Sequence, residues 1–543
     1  MKKYIIILYT FFIVSCVFTS CDDILDVDPE EVLLTEDYLG DDKIEARSAL
    51  FGVLSQMQDA TEQYVILGEL RADLMDVASG AKDELRKINS HNISEDNSYV
   101  DPTNLFSIVN NCNYALQRMD TVAYENELLT YYVSILRVRT WAQIQIMTNY
   151  GKLPYMVEPV ESTEDLEDNY PVLTIAQGVD SLINNLLPYS NIDNVSDLGV
   201  GSTIPVNDLL LGDLYLWGGN YVMAATYYKQ FLDYYVNEAG SLYNLTSTYG
   251  VTYSGKNGNY SVNKNNWANI FAEENPGSSE YIMLTRYYDD YRQYNTAYET
   301  LTTEVKPSAA LISNWSVQYK YYDDLAYEQG DNRILGSYIG EGEEARITKY
   351  DYDYFMFQRA SHVYLKYAEA INAAGYPAHA LAVINQGVFD DAVTVGAPRF
   401  TGNTQDFLNF TQDEYVITNS SGLQTGGNLG IRGRVGMAPL EIDETAATLT
   451  DSIGQVASFI LNEAALETAF EGNRYSDLVR ASLNFNDASI LAKAVASKYT
   501  AVGDLGTAAT MEQKLSDQAN WFLPLTIPEN FTEVTADVIE EEL

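Results

Sequence analysis

Leu128, Tyr131, Ile135, Val138, Ala142 and Ile146 recur at steps of three and four, and the faces between them are apolar as well. A helix that is hydrophobic all round must be surrounded by other elements. This stretch therefore predicts a central helix, ended by Gly151 and Pro154. The 543 residues are ample to wrap such a helix, as one large helical domain or two intimately joined halves. Only Cys16, Cys21 and Cys112 could carry thiols, so packing rather than a disulfide framework must hold the chain together.

Other segments read as helices around this centre. Apolar residues at helical spacing run from Ile44 to Leu70, followed by a polar stretch to Tyr99 that reads as a long loop. Asp101-Pro102-Thr103 opens a helix through Phe106, Val109, Cys112 and Leu116, which places Cys112 on an apolar side as a buried, inert thiol. Leu211-Gly212-Asp213-Leu214-Tyr215 with Gly219-Asn220-Tyr221 and Ala224-Ala225 has the small and aromatic residues of a tetratricopeptide-type helix pair. Tyr364 to Ala370, followed by Gly375-Tyr376-Pro377 and His379-Ala380-Leu381, repeats that logic. The two copies are not in tandem, which predicts pair packing inside one domain and not a free-standing solenoid.

Between the pairs the chain changes character. Tyr243 to Asn269 is rich in Gly, Ser, Asn and Tyr and reads as loops or short hairpins, and Phe271 to Tyr288 reads as extended. Ten of the 43 tyrosines fall between Tyr281 and Tyr327. A phenol ring has an apolar face and a polar edge, which suits the CH faces and hydroxyls of a sugar. Tyr287, Tyr291, Tyr294 and Tyr298 also step by four, three and four, the spacing of a buried helical stripe, so both readings stand at this point. Interleaved Asp289, Asp290, Arg292, Gln293 and Asn295 favour a polar setting.

The N-terminus reads as an export signal: Lys2-Lys3, an apolar run from Tyr4 to Phe18, then Thr19-Ser20 before Cys21. The run is shorter than the roughly 20 residues of a membrane-spanning helix. A cysteine after small residues at the end of such a run is the acceptor of a lipid anchor. Ile13-Val14-Ser15-Cys16 competes for that role, but cleavage there would leave Val17 and Phe18 on an otherwise acidic leader, so Cys21 is favoured.

Cys21-Asp22-Asp23-Ile24-Leu25-Asp26-Val27-Asp28-Pro29 resembles the opening of the SusD/RagB family of surface nutrient-binding lipoproteins of Bacteroidetes. Further matches follow in the family's order. Arg137 to Ala142 with Asn149-Tyr150-Gly151-Lys152-Leu153-Pro154-Tyr155 resembles its helix ending in a Tyr-Gly-x-x-Pro-Tyr turn, and Asp331-Asn332-Arg333 its Asp-x-Arg element. Glu463, Glu467, Ala469 to Arg474 and Asp477 to Arg480 resemble its C-terminal signature, and Trp521 to Pro528 its closing apolar strand. One departure is that the family's Arg-Arg after the first Glu is here Ala464-Ala465, which puts an ion-pair role for Glu463 in doubt.

The resemblance implies a mainly α fold, with tetratricopeptide-like helical pairs packed against a loop-rich irregular half. It implies a signal peptide over 1–20 and a single domain over 21–543, with a variable loop region at about 240–335. It also implies an outer-membrane, lipid-anchored location facing the exterior, and the capture of oligosaccharide, or in some members peptide, for a SusC-like TonB-dependent transporter.

The residues themselves offer little chemistry. No Gly-x-Ser-x-Gly, His-Glu-x-x-His, Cys-x-x-Cys or Walker lysine is present, and His91, His362 and His379 are the only histidines. His362 and His379 read as packing or surface residues. Glu463, Glu467 and Glu471 share one helical face and are expected to meet arginines such as Arg474 and Arg480 rather than to cleave a sugar. Gly426 to Gly436 reads as a mobile loop and not a phosphate cradle. A net charge of −45 with no basic stretch excludes nucleic acid as a partner and disfavours anionic ligands near the site.

No cofactor, metal or catalysis is therefore expected. The reading is of a neutral-oligosaccharide binder using Tyr287, Tyr291, Arg292, Tyr294 and Trp315, with Tyr99 reaching in from the earlier loop; a peptide binder of the same family, a surface glycoside hydrolase and a protein-binding scaffold are the alternatives. Three acyl chains at roughly 0.8 kcal/mol per buried methylene would anchor the chain effectively permanently. Cys21→Ala should therefore release the protein to the soluble fraction on cell fractionation; release by Cys16→Ala instead would move the cleavage site.

Overall fold

The computed structural model describes residues 43–122, 128–165, 169–196, 201–239, 245, 250–256, 259–271, 280–287, 297–322, 325–388, 398–410, 416–418, 424–426 and 429–534. The leader and Cys21 lie outside them. The fold is mainly helical, with short two- and three-stranded sheets.

The predicted central helix spans Leu129–Tyr150, and 17 of its 22 residues are buried. Gly151 ends it with φ of 73°, and its N–H returns to the Met147 carbonyl. That left-handed cap lets the chain reverse at once into the strand Lys152–Pro154, which pairs with Pro171–Thr174. Lys43–Asp59, Thr103–Arg118 and Ile175–Leu186 pack around the central helix in the largest apolar core. Cys112 lies in this core, and burial pushes its thiol up to about 12, as expected of an inert side chain.

Both helical pairs form where the small residues predict them: Asn207–Trp217 with Tyr221–Ala239, and Ala360–Ala373 with Pro377–Asn385. They pack on each other in a second core, where a Cβ at Gly212 would stand 2.6 Å from the Tyr228 ring. Asp213 joins the pairs by accepting hydrogen bonds from the Tyr228 hydroxyl and from Lys366 Nζ at 2.8 Å. The helix Leu449–Glu467 lies against the second pair and starts at a capping box between Thr448 and Asp451.

Several boundaries differ from expectation. The stretch after Arg71 is not one long loop, for it contains the strand Met75–Val77 and the helix Asp83–Asn89. The extended reading of Phe271 to Tyr288 shortens to the strand Tyr281–Arg286, paired with Tyr354–Arg359. Trp521 to Pro528 forms no strand; it is an irregular segment, and the strand comes later, at Thr532–Glu533. Among the described residues no helix is long and apolar enough to cross a membrane.

The N- and C-terminal thirds meet at one tight contact. A turn of π-helix, Ile66–Leu70, brings Gly68 against Gly472, where an added Cβ would lie 1.9 Å from the Gly472 carbonyl oxygen. The neighbouring Glu69 is fully buried, and its Oε1 accepts the Gly472 N–H at 2.8 Å. Burial pushes its carboxyl up to about 8 from an ordinary 4.5. The folded chain thus keeps a proton that the unfolded chain releases, so this group costs stability as pH rises between those two values. Glu69→Gln keeps the acceptor and removes the ionisation. Its melting temperature should match the parent's below about pH 4.5 and exceed it increasingly up to about pH 8 in a pH series of thermal melts.

Candidate functional site

Two groups of side chains matter: a buried ionic node, and the frame of the tyrosine-rich stretch. Glu463 and Glu467 share a helical face, but the helix ends at Glu467 and Glu471 lies past it in the following turn; nor are their partners Arg474 and Arg480. Arg474 instead pairs with Asp73 at 2.7 Å, and Arg480 with Glu369 and Asp477 at 2.6 and 2.8 Å. The three glutamates meet cations brought from distant sequence. Arg333 donates to Glu463 at 2.7 Å and Glu467 at 2.9 Å, while Asp331 holds its other edge at 2.6 Å. Arg359 reaches Glu467 at 2.9 Å and Glu471 at 2.7 Å. Arg432 donates to Glu463 at 2.6 Å, Arg434 to Glu467 and Glu280, and Lys349 to Glu471.

Glu463 is therefore ion-paired although Ala464-Ala465 replaces the expected arginines, because Arg333 and Arg432 reach it from other elements. The glycine-rich stretch is not simply a loop: it holds the helical turn Ile431–Arg434, with Arg432 and Arg434 each only 2% exposed. Burial alone would raise the pKa of the Glu471 carboxyl, but Arg359 and Lys349 outweigh it and hold the group at about 2. Glu467 is held well below the usual range in the same way, by Arg434, Arg359 and Arg333.

These carboxylates are fixed acceptors with no proton to give and no solvent contact, which is the opposite of a glycosidase acid. His362 is buried in the same node, where burial pushes its imidazole down to about 3, and His379 packs against Tyr376 and Phe400. Among the described residues no group of three or more His, Cys, Asp or Glu side chains could hold a metal ion.

Of the expected ligand-facing residues, Trp315 lies in the core. It is fully buried, its indole N–H donates to the Leu466 carbonyl at 3.2 Å, and its ring packs on Tyr338 and Phe470. A ring without an exposed face cannot stack on a ligand, so Trp315 is corrected to a packing residue. It follows Leu311 in a short helix, Ala309–Val317, whose buried side the local Ser and Asn content disguised.

Tyr99 and Tyr287 are also largely buried, at 7% and 5% exposure, but they converge on one place. The Tyr99 hydroxyl donates to Glu62 in the first turn of the helix Thr61–Val65, and Lys82 donates to that hydroxyl at 3.1 Å. Tyr287 sits beside Thr61 of the same turn, and burial, aided by the nearby charges of Asp59 and Glu62, pushes its phenol up to about 12. Gln58 pins the preceding backbone by donating to the Arg286 carbonyl, and Tyr287 N–H donates to Asp353 at 2.9 Å. Tyr298, 43% exposed, follows on the far side of the tyrosine-rich stretch. Tyr291, Arg292 and Tyr294 lie outside the described residues.

Residues 429–538, which carry the node's Arg432, Arg434 and three glutamates, match the SusD family. The chain is similar to the SusD/RagB family over this C-terminal segment. A SusD-like protein of Formosa agariphila is 22% identical over 441 residues, covering 71% of this chain and 82% of the relative. A SusD superfamily protein from Bacteroides vulgatus has the same fold at TM-score 0.56 and 14% identity, over 85% of this chain and 92% of its own. A SusD-like carbohydrate binding protein from Bacteroides fragilis gives 0.54 and 14%, over 83% and 88%.

The signature is thus read as architecture. Its glutamates form the counter-charges for arginines that arrive from earlier segments of the chain. Removing one partner leaves the others buried without compensation. Glu467→Ala should destabilise the protein by about 3–5 kcal/mol in urea denaturation, since Arg333, Arg359 and Arg434 all lose an acceptor.

Proposed function

We propose that this chain is a surface lipoprotein, anchored through Cys21, that captures a neutral oligosaccharide and passes it to a TonB-dependent transporter of the outer membrane. The observation that carries this reading is the convergence of Tyr99 and Tyr287 on the helix start at Thr61, at the point where the tyrosine-rich stretch departs. In this reading the two buried rings hold the base of the site, and Tyr291, Arg292 and Tyr294 supply the contacts. The related carbohydrate-binding structure from Bacteroides fragilis supports a glycan as ligand.

Ring contacts with sugars are individually weak, at about 0.5–1.5 kcal/mol each, so several of them give an affinity that still permits release to a transporter. The chain is proposed to do no chemistry on what it binds. Its paired glutamates are buried and ionised, and Glu69, a carboxyl whose pKa burial raises to about 8, is fully buried against Gly472. Neither arrangement offers a substrate an acid and a base.

Isothermal titration against panels of neutral glycans and of peptides tests the reading. Tyr291→Ala and Tyr294→Ala should each weaken glycan binding by about 0.5–1.5 kcal/mol with the melting temperature kept. Trp315→Ala should instead lower stability by about 3–5 kcal/mol. Binding of basic peptides in place of glycans, drawn by Asp59 and Glu62, would replace the ligand, and glycan cleavage products would refute the non-catalytic reading.

A further inference from the structure

The charge balance of this chain, 77 acidic against 32 basic residues, predicts that any groove is lined mainly by carboxylates. One groove reverses that sign. It has a volume of about 410 Å3 and is built where two family-signature segments meet, the turn after the central helix and the segment Ala519 to Leu525. Leu523 N–H donates to the Asn149 carbonyl at 2.9 Å and fastens one to the other. Phe522 lies over the turn so closely that a Cβ at Gly151 would stand 2.6 Å from its ring.

The charged side chains lining this groove are Lys152 and Lys514, and no carboxylate lines it. Lys514 Nζ is placed by donating to the His91 carbonyl at 2.5 Å, and neither lysine forms a salt bridge with a described residue. His91 adds no charge, because burial pushes its imidazole down to about 3 and its Nε2 is engaged with the Arg71 carbonyl. Behind the wall, Arg71 stacks on Tyr475 at 4.0 Å and also has no carboxylate partner among the described residues, so it adds to the local positive potential. Glu95, which accepts from the Thr526 hydroxyl, does not line the groove. Phe522 and Pro524 add apolar surface, and Asn520 an amide.

We infer that this groove is a second binding site, one that takes a carboxylated sugar, with the uronate carboxyl between Lys152 and Lys514 and the sugar ring against Phe522 and Pro524. Screening over about 8 Å at physiological salt isolates it from the negative charge elsewhere on the surface. The choice of a sugar over an acidic peptide rests on the glycan capture proposed above; the sign of the ligand's charge rests on the groove alone.

The test is titration of the full mature chain with tetragalacturonate, with maltotetraose as the neutral glycan and with tetraglutamate, at low and high salt. The parent should bind tetragalacturonate more tightly than tetraglutamate, and less tightly as salt rises. The double variant Lys152→Glu, Lys514→Glu should lose at least about tenfold in that affinity while keeping its melting temperature and any binding of neutral glycan.

Equal affinity of parent and variant for tetragalacturonate, or no binding of it by a parent that binds neutral glycans, overturns the groove and leaves glycan capture standing. Tetraglutamate binding as tightly as the uronate overturns the sugar assignment. Failure of every glycan, neutral and charged, refutes glycan capture and this inference together.

Discussion

The structure depends on a set of charges that have no water to rely on. Glu467 alone accepts from Arg333, Arg359 and Arg434, and the Trp267 indole N–H adds a fourth contact at 3.1 Å. Each of these groups is essentially without solvent exposure. Desolvating so many ions is expensive, and their mutual attraction compensates only when every partner is in place. The node is therefore all or nothing. It forms only when residues 280, 331–333, 349, 359 and 432–434 have gathered around Glu463, Glu467 and Glu471, which makes the end of the helix Leu449–Glu467 and the turn after it the point of registration for the irregular half.

The helical half is held by different physics. The central helix is apolar on all sides, and its neighbours need only present apolar stripes, so non-directional packing suffices. Where the halves join, tolerance vanishes. Gly68 touches Gly472, and a Cβ on Gly472 would meet the Tyr64 ring at 2.2 Å. Directional ion pairs on one side and a glycine-to-glycine contact on the other leave the halves little freedom to slide, and this rigid seam is what gives the loops a fixed base. Tyr99 and Tyr287 stand near its start, against the turn at Thr61 and Glu62 that leads to Tyr64.

Much of the frame was legible from the chain. A 22-residue helix of all-round apolar character, and two Gly/Ala/Tyr-patterned pairs, are local signals with defined periods, and they appear where those periods put them. The irregular segments were harder. The sequence names Trp315 and Tyr287 as ligand contacts while leaving a buried stripe open for Tyr287, because polarity along the chain does not say which side of a short helix or strand end is covered; the structure buries both. Gly426 to Gly436 was read as mobile because glycine dominates it, while Arg432 and Arg434 within it were the residues that mattered.

By itself the sequence determined the class of the fold, the family resemblance and the pairing of Glu463 with Glu467 on one helical face, because each is a matter of spacing within one segment. Only the tertiary structure decided which cations those glutamates meet. Arg333 and Arg359 lie more than a hundred residues from Glu467 in sequence, and Arg474, only seven away, points to Asp73 instead. Ion pairing follows distance in space, and in a chain with 32 basic residues nearly every arginine is an equally good candidate until the backbone has placed it. The same holds for the lysine-lined groove, where Lys152 and Lys514, far apart in sequence, line one groove whose two segments are tied by the Leu523 to Asn149 hydrogen bond.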